Sequence, residues 1–168
     1  MNDFKFTVNG AVGTSSRLGH SASIYYPEKT EVGSSTKTVS FETTWTFNQL
    51  LSYTKNFGNH HVDVLLGHES YDYEYNYLKG SMQNQTIHNG NFEFSNYSVP
   101  DEQDSYTNTY KTEGFLARAN YDYNSRYFLS ASVRRDGSSR FYKDSRWGTF
   151  FSVGAGWRID EERFHGRS

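Results

Sequence analysis

The chain has no cysteine. Disulfides, thiolate chemistry and cysteine-ligated zinc are therefore excluded, and the redox compartment is left open. Aliphatic side chains are scarce too: hydrophobic residues make up 35% of the 168, and aromatic rings alone make up 18%. A mean hydropathy of −0.84 excludes a helical membrane bundle. No run approaches the ~20 apolar residues that a spanning helix needs. No charge sign dominates either, because 17 Lys and Arg against 19 Asp and Glu leave −2. A polyanion-binding surface, and with it a nucleic-acid partner, is not expected. Two prolines among so many rings do not make a disordered tract. Met1 to Gly10 holds Asp3 and Lys5 and no apolar core segment, so no signal peptide is expected there.

What the chain does have is a period of two. In residues 41–57, Phe41, Thr43, Trp45, Phe47, Gln49, Leu51, Tyr53, Lys55 and Phe57 alternate with a polar set that includes Glu42, Thr44, Thr46, Asn48, Ser52 and Thr54, to which Leu50 is the exception. That alternation predicts a β-strand with one greasy and one polar face. Residues 115–123 repeat it: Phe115, Ala117, Ala119, Tyr121 and Tyr123 oppose Leu116, Arg118, Asn120 and Asp122. In residues 127–135, Tyr127, Leu129, Ala131 and Val133 oppose Phe128, Ser130, Ser132 and Arg134. In residues 147–158, Trp147, Phe151, Val153, Ala155 and Trp157 oppose a face made mostly of Gly and Ser. A weaker strand lies near Phe4 to Val12, and a short turn is expected at Asp160–Phe164. Residues 61–78 are less regular. Val62, Val64 and Leu66 share a face with His68, Asp72 and Glu74, while Tyr71, Tyr73, Tyr75 and Tyr77 share the other with Asp63 and Glu69. Either a bulge near Gly67 swaps the faces, or the upper half of the strand leaves the apolar zone.

Six strands are thus predicted, joined by connections of alternating length. Asn56–His60 and Asn124–Arg126 are tight; Ser15–Thr38, Gly80–Asn108 and Asp136–Arg146 are long and polar. All short turns fall on one side and all long loops on the other, as in an outer-membrane barrel. The runs match the ~9–11 residues of a tilted spanning strand. Rings mark their ends at Trp45, Tyr53, Phe57, Tyr121, Tyr123, Tyr127, Trp147 and Trp157, as interface girdles require. A soluble β-sandwich also alternates, so the pattern alone admits a stand-alone, soluble, carbohydrate-binding β-module.

The stretch NYDYNSRYFLSASVRRDGSSRFYKDSRWGTFFSVGAGWR at 120–158 is more specific. Its NYDY…RY, RRDGSSRF and WG…S.GAGWR elements resemble the barrel of SusC/RagA-type TonB-dependent outer-membrane transporters. HVDVLLGHESYDYEYNYL, at His61 to Leu78, resembles the family's LLGHE strand. The resemblance covers nearly all of residues 41–165. It implies an all-β fold: a six-stranded antiparallel meander, cut from the middle of a plugged barrel of about 22 strands. It implies location in the cell outer membrane and a role in importing glycans or peptides. The partners implied are a SusD-like surface lipoprotein, outer-membrane lipid and the TonB complex. The plug, TonB box and signal peptide are expected to be missing from residues 1–168. Six strands in a bilayer leave two unpaired edges, at several kcal/mol per unpaired group, so a piece of a longer barrel is the expectation.

Candidate sites follow. Phe115, Tyr121, Tyr127, Leu129, Val133, Phe151, Val153 and Trp157 are expected to face lipid. Tyr71, Tyr73, Tyr75 and Tyr77, with Tyr106 and Tyr110 across the loop, are the candidate ligand-binding rings, because stacked rings hold sugar faces. Outward rings at the membrane interface would carry the same pattern. Arg134, Arg135, Asp136, Arg140, Lys143, Asp144 and Arg146 crowd one extracellular hairpin. They either bind lipopolysaccharide phosphates or a partner, or form ion pairs that fix the loop. His60 and His68, and the loop carboxylates Asp101, Glu102 and Asp104, are weak metal candidates, since neither has ligand spacing. No metal is expected. Two sequons, at Asn84 and Asn96, carry no meaning in a bacterial outer membrane. Glu42, Glu69, Glu74 and Glu113 show no partner pattern, and no nucleophile elbow, HExxH or phosphate loop occurs. Neither catalysis nor a cofactor is expected.

Overall fold

The computed structural model describes residues 3–29 and 32–159. The expected turn at Asp160–Phe164 lies outside the described residues. Six strands are present: β1 (Phe4–Ser23), β2 (Ser34–Phe57), β3 (His60–Gln85), β4 (Tyr97–Tyr123), β5 (Tyr127–Ser138) and β6 (Trp147–Trp157). They form one antiparallel sheet in the order β1-β2-β3-β4-β5-β6. Short 3-10 turns occupy Pro27–Lys29, Phe94–Asn96 and Lys143–Ser145.

Strand number and order agree with the sequence pattern; strand length does not. β1 to β4 have 20, 24, 26 and 27 residues, where ~9–11 span a membrane. The expected loops Ser15–Thr38 and Gly80–Asn108 are largely strand, and the true connections shrink to residues 24–33 and 86–96. The third, Asp136–Arg146, starts later, because β5 continues to Ser138. Ser, Thr, Asn and Tyr fill both faces of the extensions, so no apolar alternation marks them. Pro100 sits inside β4, where a proline would ordinarily argue against a strand.

The described residues divide into two compact units. One comprises residues 3–11, 45–72 and 110–159; the other comprises the described residues of 12–44 and 73–109. The first holds the tight turns. At the β4–β5 turn, Asn124 and Ser125 both take φ of +56°, and the Arg126 amide donates to the Tyr123 carbonyl at 3.0 Å. That is a two-residue turn of the type that matches strand twist. Ser125 is held in it by the Asp122 carboxylate, which accepts from its amide at 2.7 Å.

Among the described residues, Tyr97 is the only buried large apolar side chain. A single sheet has no second layer to bury its greasy face, so the core must come from outside these residues.

Glycines let side chains from neighbouring strands lie flat on the sheet. Gly137 pairs with Trp147 across β5 and β6, and a Cβ at Gly137 would stand 2.8–2.9 Å from three indole atoms. Ring-over-glycine packing of this kind pins register. Gly58 differs: it needs φ of +61° but has open space around it. We expect Gly137→Ala in the full-length receptor to cost about 1–3 kcal/mol by displacing the ring. Gly58→Ala should cost about 1–2 kcal/mol through backbone strain alone. Urea unfolding of refolded protein measures both costs. Indole fluorescence should shift only for the first.

Candidate functional site

The first unit presents two chemically opposite faces. Register places Phe115, Ala117, Ala119, Tyr121 and Tyr123 beside Arg135, Val133, Ala131, Leu129 and Tyr127. Those in turn lie beside Thr149, Phe151, Val153, Ala155 and Trp157. All eight residues expected to face lipid therefore share one face, and it is open: Phe151 is 84% and Val153 73% exposed.

Two rows of rings bound that face. At the turn end, Phe57 stacks on His60 with centroids 5.3 Å apart, and His60 meets Tyr123 at 4.9 Å. Tyr123 then meets Tyr127 at 6.3 Å, and Tyr127 meets Trp157 at 6.4 Å. At the other end His68 stacks on Phe115 at 4.8 Å, and Phe115 meets Trp147 at 6.1 Å. The 11 residues of β6 run from one row to the other. At ~3.3 Å per residue and a tilt near 40°, they rise ~25 Å, the height of a hydrocarbon band. Just past the second row the same face turns charged. His68 meets Glu113 at 3.1 Å, Lys111 pairs with Asp72, and the Arg135 guanidinium lies 5.2 Å from the Trp147 ring.

The opposite face is polar. Arg134 grips Asp136 through Nε at 2.8 and 2.9 Å and reaches Glu69 through Nη2 at 2.9 Å. Asn120 donates to Asp63 at 3.2 Å, and the Ser132 and Ser152 hydroxyls share a hydrogen bond of 2.8 Å. Asp63 and Glu69 thus stay on one side of β3, and the faces do not swap at Gly67. That glycine makes room for Leu116 and Leu50, whose carbons would stand 3.0 Å from a Cβ. The strand leaves the apolar zone instead. A recess of about 690 Å³ opens on this face, lined by Glu69, Tyr71, Arg134, Asp136, Phe141 and Phe150 among others.

The expected hairpin cluster therefore splits. Arg134 and Asp136 belong to the polar recess, whereas Arg135 lies on the apolar face. Arg140 covers the Tyr110 ring at 3.8 Å, and Arg146 Nε donates to the Phe141 carbonyl at 3.1 Å. Lys143 and Asp144 lie in the 3-10 turn.

Tyr106 and Tyr110 are not across a loop from the other tyrosines; β4 carries them alongside β3. In the first unit Tyr71 meets Tyr110 at 5.8 Å. In the second, Tyr106 meets Tyr77 at 5.0 Å and Tyr75 at 6.0 Å, and Tyr73 donates to Glu42 at 3.3 Å. Partial desolvation by its neighbours, and then Tyr75, raise the Tyr106 phenol above its ordinary range. Lys79 bonds Glu102 at 2.5 Å, which raises its ammonium pKa; Lys37 on Glu93 lowers that carboxyl.

The weak metal candidates do not converge. His60 bonds the Tyr121 hydroxyl at 2.6 Å and His61 bonds Asn56 at 2.5 Å. Asp101 and Glu102 lie in β4 rather than in a loop, on Ser81 and Lys79. Among the described residues no group of three possible ligands gathers. Glu42, Glu69, Glu74 and Glu113 do have partners, in Tyr73, Arg134, Asn76 and His68. Sequence reasoning missed these because each partner, except Asn76, sits on another strand. It also missed Phe141 and Phe150, which read as loop and strand positions without a recess to join.

An antiparallel meander, polar on one side and apolar between two rows of rings on the other, is the wall of a transmembrane β-barrel. No protein-family model matches the chain. TonB-dependent receptor SusC of Bacteroides thetaiotaomicron is 32% identical over 122 residues, 70% of this chain and 11% of that protein. TonB-dependent receptor P3 of Formosa agariphila is 31% identical over 124 residues, 68% of this chain and 12% of that protein. Its receptor P39 is 48% identical over 56 residues, 33% of this chain and 5% of that protein. Among solved structures, the RagAB peptide transporter superposes with a TM-score of 0.84 at 20% identity, covering 92% of this chain and 18% of that one. The chain belongs to the SusC-like TonB-dependent receptors, which are outer-membrane β-barrels. It spans about a tenth of the length of the curated relatives it matches over most of its own length.

Arg134 and Glu69 are both about half exposed, so solvent screens their attraction. A double-mutant cycle with Arg134→Ala and Glu69→Ala should return a coupling below ~1 kcal/mol.

Proposed function

We propose that residues 3–159 form wall strands of a receptor that imports glycans or peptides through a TonB-driven barrel, capped by a SusD-like lipoprotein. The observation that carries this reading is the open apolar face, about 25 Å tall, between its two rows of rings. A soluble module would have to cover such a face. A bilayer covers it without further protein. Phe115, Tyr121, Tyr127, Leu129, Val133, Phe151, Val153 and Trp157 then meet lipid. The polar face with Arg134, Asp136 and Glu69 lines the lumen. The β1 to β4 extensions stand outside the cell, since 27 residues at ~3.3 Å and ~40° tilt rise ~70 Å. The SusC and RagAB similarities support import and a lipoprotein partner. The recess and the tyrosines support a lumen that handles an extended, polar substrate.

Two neighbouring positions test the face assignment. Val153→Arg, at the middle of the apolar face, should cost about 2–4 kcal/mol in full-length receptor folded into vesicles. Ser152→Arg, one residue away and facing the lumen, should cost far less. Equal costs would overturn the assignment. For import, a strain lacking the full-length gene should lose growth on at least one oligosaccharide or peptide source and regain it only with a TonB-competent copy. Growth unchanged on every source would defeat the proposal.

A further inference from the structure

In the second unit one face of the sheet has an unusual composition. It carries Tyr73, Tyr75 and Tyr77 of β3, Glu42 of β2 and Tyr106 of β4. Contacts across the strands confirm the grouping. Tyr106 stacks against Tyr77 at 5.0 Å and meets Tyr75 at 6.0 Å, and the Tyr73 hydroxyl donates to Glu42 at 3.3 Å. The next side-chain pairs on that face are Thr36 with Ser81 at 3.0 Å and Lys79 with Glu102 at 2.5 Å. The opposite face is marked by Thr107 donating to Asn76 at 2.7 Å.

The alternation of each strand fills the rest of the ring-bearing face. β2 contributes Thr36, Thr38, Ser40, Glu42 and Thr44, and β4 contributes Asp104 and Asn108 around Tyr106. No Leu, Ile, Val or Met occurs among these positions. Rings are thus set among hydroxyls, carboxylates and amides, with no aliphatic side chain beside them. A docking surface for an apolar peptide or protein is built from rings together with aliphatic side chains. A pyranose asks for something else: a flat ring against its C–H face, and acceptors and donors around its rim. Tyr106 is 51% exposed, so its ring is available for contact. Charge narrows the ligand further. Glu42, Asp101, Glu102 and Asp104 outnumber Lys79, which is itself paired with Glu102, and Arg17, which the alternation of β1 places on the same face. That surplus repels sulfated or uronate chains.

We propose that Tyr75, Tyr77 and Tyr106, with Glu42 at their edge, form a stacking platform for uncharged oligosaccharides on the extracellular extension of the strands. The rings hold the sugar faces, and Glu42 and the phenol hydroxyls hold its hydroxyl groups. The inference rests on the importer reading and specifies its substrate class.

The test uses the full-length receptor in detergent, with maltoheptaose, laminarihexaose and xylohexaose as neutral probes, a chondroitin sulfate oligosaccharide as the anionic one, and a casein digest as the peptide one. Calorimetry should detect at least one neutral probe and neither of the others. The Tyr75→Ala, Tyr77→Ala, Tyr106→Ala triple variant should weaken that probe about ten- to a hundredfold. The triple Phe variant, which keeps the rings, should stay within a fewfold. Heat-modifiable gel mobility confirms that each variant is folded; if the Ala variant is not, single Ala variants replace it, each weakening binding severalfold. The platform is overturned if no neutral probe binds, if the Ala variants bind as tightly as the parent, or if Phe loses as much as Ala. Growth of the gene-deletion strain separates the two ideas: lost growth on peptide, with binding unmoved by the tyrosine variants, leaves the importer and removes the platform.

Discussion

The backbone ladder between adjacent strands is the interaction on which everything else in this protein depends. Helices and sandwiches share that burden with a packed interior. Here the described residues bury one large apolar side chain, Tyr97, so hydrogen bonds along five strand pairings hold the sheet together. In water such a ladder gains little over solvent, about 0.5–1.5 kcal/mol per bond. In hydrocarbon it is compulsory, since an unmade bond there costs several kcal/mol. The fold is therefore most stable in the medium that its apolar face also requires. Ladder and face point to the same surroundings, although they arise from backbone and side chains separately.

The two units obey different rules along the same strands. In the first, period-two alternation dominates, with Leu50, Leu116, Phe128 and Phe150 as the apolar exceptions on the polar face. The ring rows end it, and the charged groups His68, Glu113, Lys111 and Asp72 begin there. In the second, one face is polar and the other mixes polar side chains with Val12, Leu18, Val39, Phe41 and Leu78, and the strands persist on pairing, β-branched threonines and tyrosines. Its order comes from specific polar contacts. Asn96 is the clearest: its side chain accepts from the Ile87 amide at 3.0 Å and donates to the Ile87 and Asn91 carbonyls at 2.7 and 2.8 Å.

This contrast explains what the amino-acid sequence revealed. Trp147 to Trp157 could be read directly, because Phe151, Val153 and Ala155 alternate with Ser152, Gly154 and Gly156. The turn at Asn124–Ser125 was equally plain between Tyr123 and Tyr127. The upper halves of β1 to β4 were not, since their few apolar residues, such as Leu18, Val39 and Leu78, are too sparse to make a period. Thr36, Thr38 and Ser40 look like loop composition until Ser81 is found beside Thr36. The recess was hidden for another reason. Arg134 and Asp136 come from β5 and Glu69 from β3, with 65 residues between the bonded Arg134 and Glu69, and nothing local marks them as neighbours. Their chemistry was visible one residue at a time. Their meeting depends on register.

The connection at residues 86–96 and the connection at 139–146 differ in how they would meet a protease. The first is cross-braced: beyond the Asn96 hub, Ser35 donates to the Phe92 carbonyl at 2.7 Å, and Gln85 to the Asn91 carbonyl at 3.2 Å. The second is exposed throughout, and Tyr142 is 92% so. A protease needs several residues of chain free to enter its cleft in extended form. The braced connection withholds them; the second is tied to the sheet at Ser139 by Lys111 and internally by Arg146 on the Phe141 carbonyl, but its residues 139–146 all stay exposed. A trypsin-like enzyme would find Arg140, Lys143 and Arg146 in the second connection and neither lysine nor arginine in residues 86–96, so it would nick the β5–β6 hairpin and leave the β3–β4 hairpin whole.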